Sequence, residues 1–162
     1  MTRVYVSIGS NIEPDYHVRA AVRALRERFG ELVVSPVYRN PAVGFDGNDF
    51  YNLAVGFDTD LEPEALADWF RELEAKYGRR RGEGKFAART LDLDLLTWDQ
   101  AVIDRPGLRL PRDEILRYAF VLKPLADIAG DEHHPELHRS YRDLWADFQG
   151  EHEGMTRLEL TP

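Results

Sequence analysis

Residues 88–96, ARTLDLDLL, set two aspartates one residue apart inside an otherwise apolar run. In an extended strand side chains alternate faces, so Leu91, Leu93 and Leu95 point one way and Asp92 and Asp94 stand about 7 Å apart on the other. Aspartate is depleted in strands and the two charges repel, so a strand that needed only a wet face would be better served by Thr, Lys or Gln. A cation is the expected partner. Immediately upstream, residues 79–89, RRRGEGKFAAR, carry Arg79, Arg80, Arg81, Lys85 and Arg89 against the single acid Glu83. Magnesium is usually held by one or two carboxylates plus substrate phosphates, and Arg and Lys engage phosphate oxygens. The pair and the loop together outline a nucleotide triphosphate site. Taken singly, the strand also reads as half-buried with an acidic wet face, and the loop as a solvated Arg/Gly turn.

The elements that must carry these residues follow from periodicity. RVYVSIGSN, residues 3–11, alternates Val4, Val6 and Ile8 against Arg3, Tyr5 and Ser7 and closes on a Gly-Ser-Asn turn, a first strand. From Pro14 the spacing of Val18, Ala21, Val22, Leu25 and Phe29 predicts a helix that stops at Gly30. ELVVSPVYR, residues 31–39, is a second strand whose Pro36 requires an edge or a bulge. A loop over residues 40–49 leads to a third strand, FYNLAVGFD, and Leu66, Trp69, Phe70, Leu73 and Tyr77 mark a second helix ending at Gly78. The Asp-pair strand comes fourth. This β-α-β-β-α-β order predicts an α+β, ferredoxin-like core. Additional C-terminal helices are expected within residues 111–125 and 140–148, the second with Ser140 and Asp143 spaced as a capping box. No repeat or linker interrupts the chain, so one domain over residues 1–162 is expected.

Composition narrows the partners. At 162 residues and 43% hydrophobic the chain can bury a real core. Its net charge of −8 repels nucleic acid, so the basic loop points to a small anionic ligand and no nucleic-acid partner is expected. With no cysteine there is no disulfide framework, thiolate nucleophile or thiolate metal site. The N-terminus lacks a basic region followed by a long apolar run, and no 18-residue apolar stretch occurs; a cytoplasmic protein without a membrane partner, and a monomer, are expected. His133 and His134, beside Pro135 in a polar segment, read as loop, and no metal is assigned to them.

Over roughly the first 125 residues the chain resembles the 6-hydroxymethyl-7,8-dihydropterin pyrophosphokinases of folate synthesis. The most specific segment is KFAARTLDLDLL, residues 85–96; IGSN at 8–11, VYRNPAVG at 37–44, DFYNLAV at 49–55 and FVLKPL at 120–125 fall in the family's order. The resemblance implies transfer of a pyrophosphoryl group from ATP to the pterin hydroxyl with release of AMP. It further implies that Asp92 and Asp94 hold two magnesium ions, with catalytic cations at Arg79, Arg81 and Arg89. At the nucleotide end it implies Glu74, Arg81, Arg89 and the position of Arg112. For the pterin it implies an edge contact from Asn52, aromatic contacts from Phe50 and Phe120, and backbone reading by Pro41, Ala42 and Val43.

The departures from the family pattern cluster at the nucleotide end and closing loop. Arg112 stands where His is usual, Tyr118 where Arg is usual, and Arg71 where Gln is common; Phe86 replaces a loop tryptophan, and Ala87-Ala88 a pair that often contains Gly-Pro. Arg109, Arg112 and Arg117 offer replacement cations. Two alternatives to the pyrophosphokinase therefore stay open: a diverged relative acting on another pterin or phosphate donor, and a non-catalytic pterin-binding protein. Survival of both carboxylates and the arginine loop weighs against the last.

Overall fold

A computed structural model describes residues 1–42, 47–78 and 90–162. Its sheet carries β1 (Thr2–Ser10), β2 (Val33–Val34), β3 (Val37–Asn40), β4 (Phe50–Thr59), β5 (Asp92–Trp98) and β8 (Thr156–Leu158). The strand order is β5-β1-β4-β3-β8, with β2 also on β4, and every pairing is antiparallel. β1 and the β2/β3 pair are thus parallel with β4 between them, the split βαβ arrangement predicted from the element order.

Two helices pack on one face. Helix α1 (Pro14–Phe29) and α2 (Pro63–Lys76) each begin at a proline, whose fixed φ suits the first turn, and Gly30 (φ 84°) and Gly78 (φ 92°) follow their ends. Val18, Val22 and Leu25 from α1 and Leu66, Phe70 and Leu73 from α2 close over Val4, Val6, Ile8, Leu53, Val55, Phe57, Leu91, Leu93 and Leu95. Alternation then sends Tyr5, Ser7 and Gly9 of β1, Asn52 and Ala54 of β4, and Asp92 and Asp94 of β5 to the opposite face.

That second face is covered at one end by α3 (Glu114–Arg117), α4 (Ala119–Ala129) and α5 (Tyr141–Ala146), around Tyr5, Leu96, Ile115, Leu122, Leu125 and Tyr141. The helical run expected at 111–125 is broken at Tyr118, whose extended backbone (φ −123°, ψ 129°) separates α3 from α4, and α4 continues past it to Ala129 with Pro124 inside. The Ser140 cap forms as spaced: its Oγ accepts from the Asp143 amide at 3.1 Å.

Two irregularities bear on the site. The strand predicted through Pro36 is split: Val34 faces Val55 and Tyr38 faces Asn52, four steps against three, so one residue is extra. Ser35 bridges the gap, donating its N–H to Ala54 O at 2.9 Å and accepting from Ala54 N through Oγ at 2.8 Å. In β5, Val6 faces Leu95 but Tyr5 faces Thr97, leaving Leu96 without a partner on β1. The Leu96 carbonyl accepts instead from the backbone N–H of Arg112 at 2.9 Å. The hairpin of β6 (Ile103–Arg105) and β7 (Leu108–Leu110) leads into that segment, and the periodicity of the sequence did not announce it.

Candidate active site

Register lays the site out as a row. Asp92 faces Gly9, Gly9 faces Asn52, and Asn52 faces Tyr38, across four adjacent strands; the neighbouring row runs Asp94, Ser7, Ala54. With strands about 4.8 Å apart, the carboxylate of Asp92 and the amide of Asn52 originate roughly 10 Å apart on one face. Gly9 is the floor between them. A Cβ built there would lie 2.8 Å from Asn52 Oδ1, so any side chain at this position displaces the amide. The rest of the IGSN segment ties the row down: buried Ser10 donates through Oγ to Thr90 O at the entry to β5, and buried Asn11 donates to Asn48 O at 3.3 Å.

At the acidic end, Asp92 and Asp94 are both partly exposed while Leu91, Leu93 and Leu95 are buried, as the alternation predicted. Partial burial first and the charge of Asp92 second push the Asp94 carboxyl up to about 7, against the pull of Arg112. Arg112 Nη2 lies 3.2 Å from Asp94 Oδ1, and its Nε donates to Glu114. Two carboxylates on one face, with a guanidinium already drawn to one of them, fit a hard divalent cation completed by phosphate and water oxygens. Among the described residues no cluster of three His, Cys, Asp or Glu side chains forms a metal cage.

Glu74 stands behind this strand. Buried on α2, it accepts through Oε2 from the Leu93 amide at 2.7 Å, between the two aspartates. Its visible work is to seal the outer edge of β5. Of the substitute cations, Arg112 is at the site, whereas Arg109 pairs with Glu136 (2.7 Å) and Asp113 (3.5 Å); Arg71, at a position where Gln is common, pairs with Asp68 on the surface of α2.

At the other end, Phe50 and Asn52 share the face, and Asn52 Nδ2 donates to Asn40 Oδ1 with both amides buried. Phe120 opens α4, which lies across β4 and β3, and Tyr118 stacks on it with centroids 4.9 Å apart and planes 17° from parallel. Pro41 and Ala42 follow β3 directly. Val43, Arg79, Arg81 and Arg89 lie outside the described residues. The structure therefore brings together Asp92, Asp94 and Arg112 at one end and Phe50 and Asn52 at the other. Sequence reasoning gave no role to Gly9, Asn40 or Glu114. Gly9 and Asn40 lie inside the segments that carried the resemblance, but only pairing across strands shows what they touch.

A split βαβ sheet with paired carboxylates and a guanidinium at one end of a face, and a buried amide beside Phe50 at the other, has the parts of a phosphoryl-transfer enzyme. Comparison with known proteins specifies it. Residues 5–130 match the model of the 7,8-dihydro-6-hydroxymethylpterin-pyrophosphokinase (HPPK) family, and the chain belongs to that family. It is 40% identical over 146 residues to the 2-amino-4-hydroxy-6-hydroxymethyldihydropteridine pyrophosphokinase of Pseudomonas aeruginosa, covering 83% of this chain and 89% of the relative. It is 35% identical over 128 residues to that of Bacillus subtilis, covering 76% of each. Among solved structures, the wild-type HPPK-DHPS of Plasmodium falciparum aligns with a TM-score of 0.73 at 12% identity over 91% of this chain, and an HPPK-DHPS in complex with substrates with 0.72 at 10%. These two share the fold, and this chain spans 44% and 45% of their lengths.

Proposed function

We infer that the protein transfers pyrophosphate from ATP to 6-hydroxymethyl-7,8-dihydropterin, releasing AMP and the pterin diphosphate. The observation that carries this reading is the row Asp92–Gly9–Asn52, which sets an amide reader and a carboxylate at the two ends of a bare glycine floor. A bicyclic ring with a one-carbon alcohol arm spans such a floor, with Asn52 bonded to the ring and the hydroxyl at the aspartates. Phe50 and Phe120 supply apolar surface for the ring faces, and the backbone of Pro41, Ala42 and Val43 reads the amide edge.

The reaction asks the protein for alignment and charge neutralisation more than for covalent chemistry. Asp92 and Asp94 would hold two magnesium ions, which when bound neutralise phosphate charge and activate the pterin hydroxyl. Arg112 then exchanges a carboxylate for phosphate oxygens, joined by Arg79, Arg81 and Arg89 from the basic loop. With the hydroxyl oxygen on the acidic side, its attack on the β-phosphorus forms the new O–P bond as the bond from that phosphorus to the α-bridging oxygen breaks, and AMP leaves.

A second reading, a relative acting on another pterin or phosphate donor, is favoured by Tyr118 on Phe120 and Arg112 on Asp94, both at positions where the family differs. One assay separates the two. Incubated with ATP, Mg2+ and 6-hydroxymethyl-7,8-dihydropterin, the protein should form AMP in proportion to pterin consumed. ADP in place of AMP, or no turnover with this pterin, would overturn the first reading.

A further inference from the structure

The match to the family ends at residue 130, yet the chain beyond it returns to the sheet beside the pterin end of the site. β8 adds to the outer edge of β3, with Val37 opposite Leu158, Tyr38 opposite Arg157 and Arg39 opposite Thr156. Just before it, Gly154 turns with φ 83°, and a Cβ placed there would lie 3.4 Å from the ring of Pro41. The segment Gly154–Leu158 thus runs alongside Val37–Pro41 and backs it.

Asn40 closes that strand, between Arg39, which pairs with β8, and Pro41, against which Gly154 turns. The buried Asn40 side chain accepts from Asn52 Nδ2 through Oδ1, and its own Nδ2 donates to Pro41 O at 3.3 Å. One amide therefore joins the turn into the 41–49 loop to the residue that faces the pterin. The bond to Asn40 also decides which way Asn52 presents its amide: with Nδ2 engaged towards β3, Oδ1 is turned over Gly9, towards the middle of the row. Tyr38, in the same strand, is anchored from the other side by its hydroxyl on Asp127 of α4. β3 is held on both flanks, and its last residue sets Asn52.

We propose that Asn40 is a positioning residue for the pterin and that the C-terminal strand is its support, so that a segment outside the family match governs pterin affinity without touching the pterin. The proposal rests on the pterin end being the ring site inferred above. It predicts a split between the two substrates. Asn40 lies three strands from the carboxylates and β8 four, so their loss should weaken the pterin and spare the nucleotide.

The test is calorimetric titration of 6-hydroxymethylpterin and, separately, of a nonhydrolysable ATP analogue with Mg2+ into wild type, Asn40→Ala, Asn40→Asp and Gly154→Val. Asn40→Ala should weaken pterin binding about tenfold and leave nucleotide binding within twofold. Asn40→Asp, which keeps an acceptor for Asn52, should recover most of the loss. In Gly154→Val a β-branched residue is forced into a left-handed turn against Pro41, and the pterin-only weakening should recur although no residue of the site has changed. Pterin affinity within twofold of wild type in Asn40→Ala, or equal loss of both ligands, would overturn the positioning role. Unchanged pterin affinity in Gly154→Val would overturn the support from β8. Wild type that binds nucleotide but no pterin would instead remove the functional reading on which the proposal stands.

Discussion

Asp92 and Asp94 carry the clearest expectation for activity. Replacing either by Ala should cost about a thousandfold or more in turnover, or about 4 kcal/mol of transition-state stabilisation, while the metal-free fold persists because the pair repels. Rates within tenfold of wild type would refute the metal role. Between them and Asn52, Gly9→Ala should raise KM for the pterin with little change for ATP, since its Cβ meets the amide and not the carboxylates. His134 gives a pH effect away from the site. It is buried, its Nδ1 accepts the amides of Glu136 and Leu137 at 3.2 Å each, and its pKa is lowered by burial, with Glu136 opposing and Arg109 and His138 reinforcing. The unfolded chain takes up a proton near pH 6.5 while the folded imidazole does not, so the stability it contributes is complete above 6.5 and is lost as pH falls from there through the lowered pKa. Melting curves between pH 7.5 and 5.5 should show this loss, and His134→Asn, whose Oδ1 replaces the acceptor, should flatten it; parallel slopes would contradict the assignment.

At the scale of elements, α2 and β5 meet through Glu74. Glu74→Ala should strip a buried backbone N–H of its acceptor and cost about 1–3 kcal/mol in urea unfolding, and Glu74→Gln, which can still accept, should restore most of it. If the same carboxylate also serves the nucleotide, Gln will keep the stability and lose nucleotide affinity, so the two roles separate in one variant. The long elements were legible in sequence because each buries one broad apolar face: Val18 to Phe29 and Leu66 to Tyr77 at helical spacing, Val4 to Ile8 and Leu91 to Leu95 in alternation. Pro36 correctly marked an irregular strand. β6, β7 and β8 escaped because three residues each give no period to read, and the break at Tyr118 because its neighbours Ile115 and Val121 are apolar on both sides of it. The acidic end of the site was legible for a local reason: two charges in a strand are anomalous wherever they occur. Gly9 and Asn40 are ordinary residues until β4 is laid beside them, and pairing partners more than ten residues away leave no mark in the sequence.

For the whole molecule, the two ends of the site should respond to ligand as one folding unit. A nonhydrolysable ATP analogue with Mg2+, at about 100 times its Kd, adds about 2.7 kcal/mol to stability, or about 5–10 °C in Tm for a chain of this size. Without Mg2+ the same nucleotide meets the aspartates unscreened and should shift Tm far less; equal shifts would place the triphosphate away from Asp92 and Asp94. The unpaired Leu96 bears on how such a site diverges. Read without it, Asp92, Leu93, Asp94, Leu95, Thr97 and Trp98 form an unbroken alternation against β1, every side chain already on its proper face. Leu96 is surplus to the ladder, and what it adds is a carbonyl that seats Arg112 and an apolar plug beneath α4. The carboxylate half and the guanidinium half of the site are therefore separable modules. A chain lacking Leu96 would keep its aspartates in place and lose the seat of the arginine, so the surroundings of Arg112 can change residue by residue while the acidic end stays fixed.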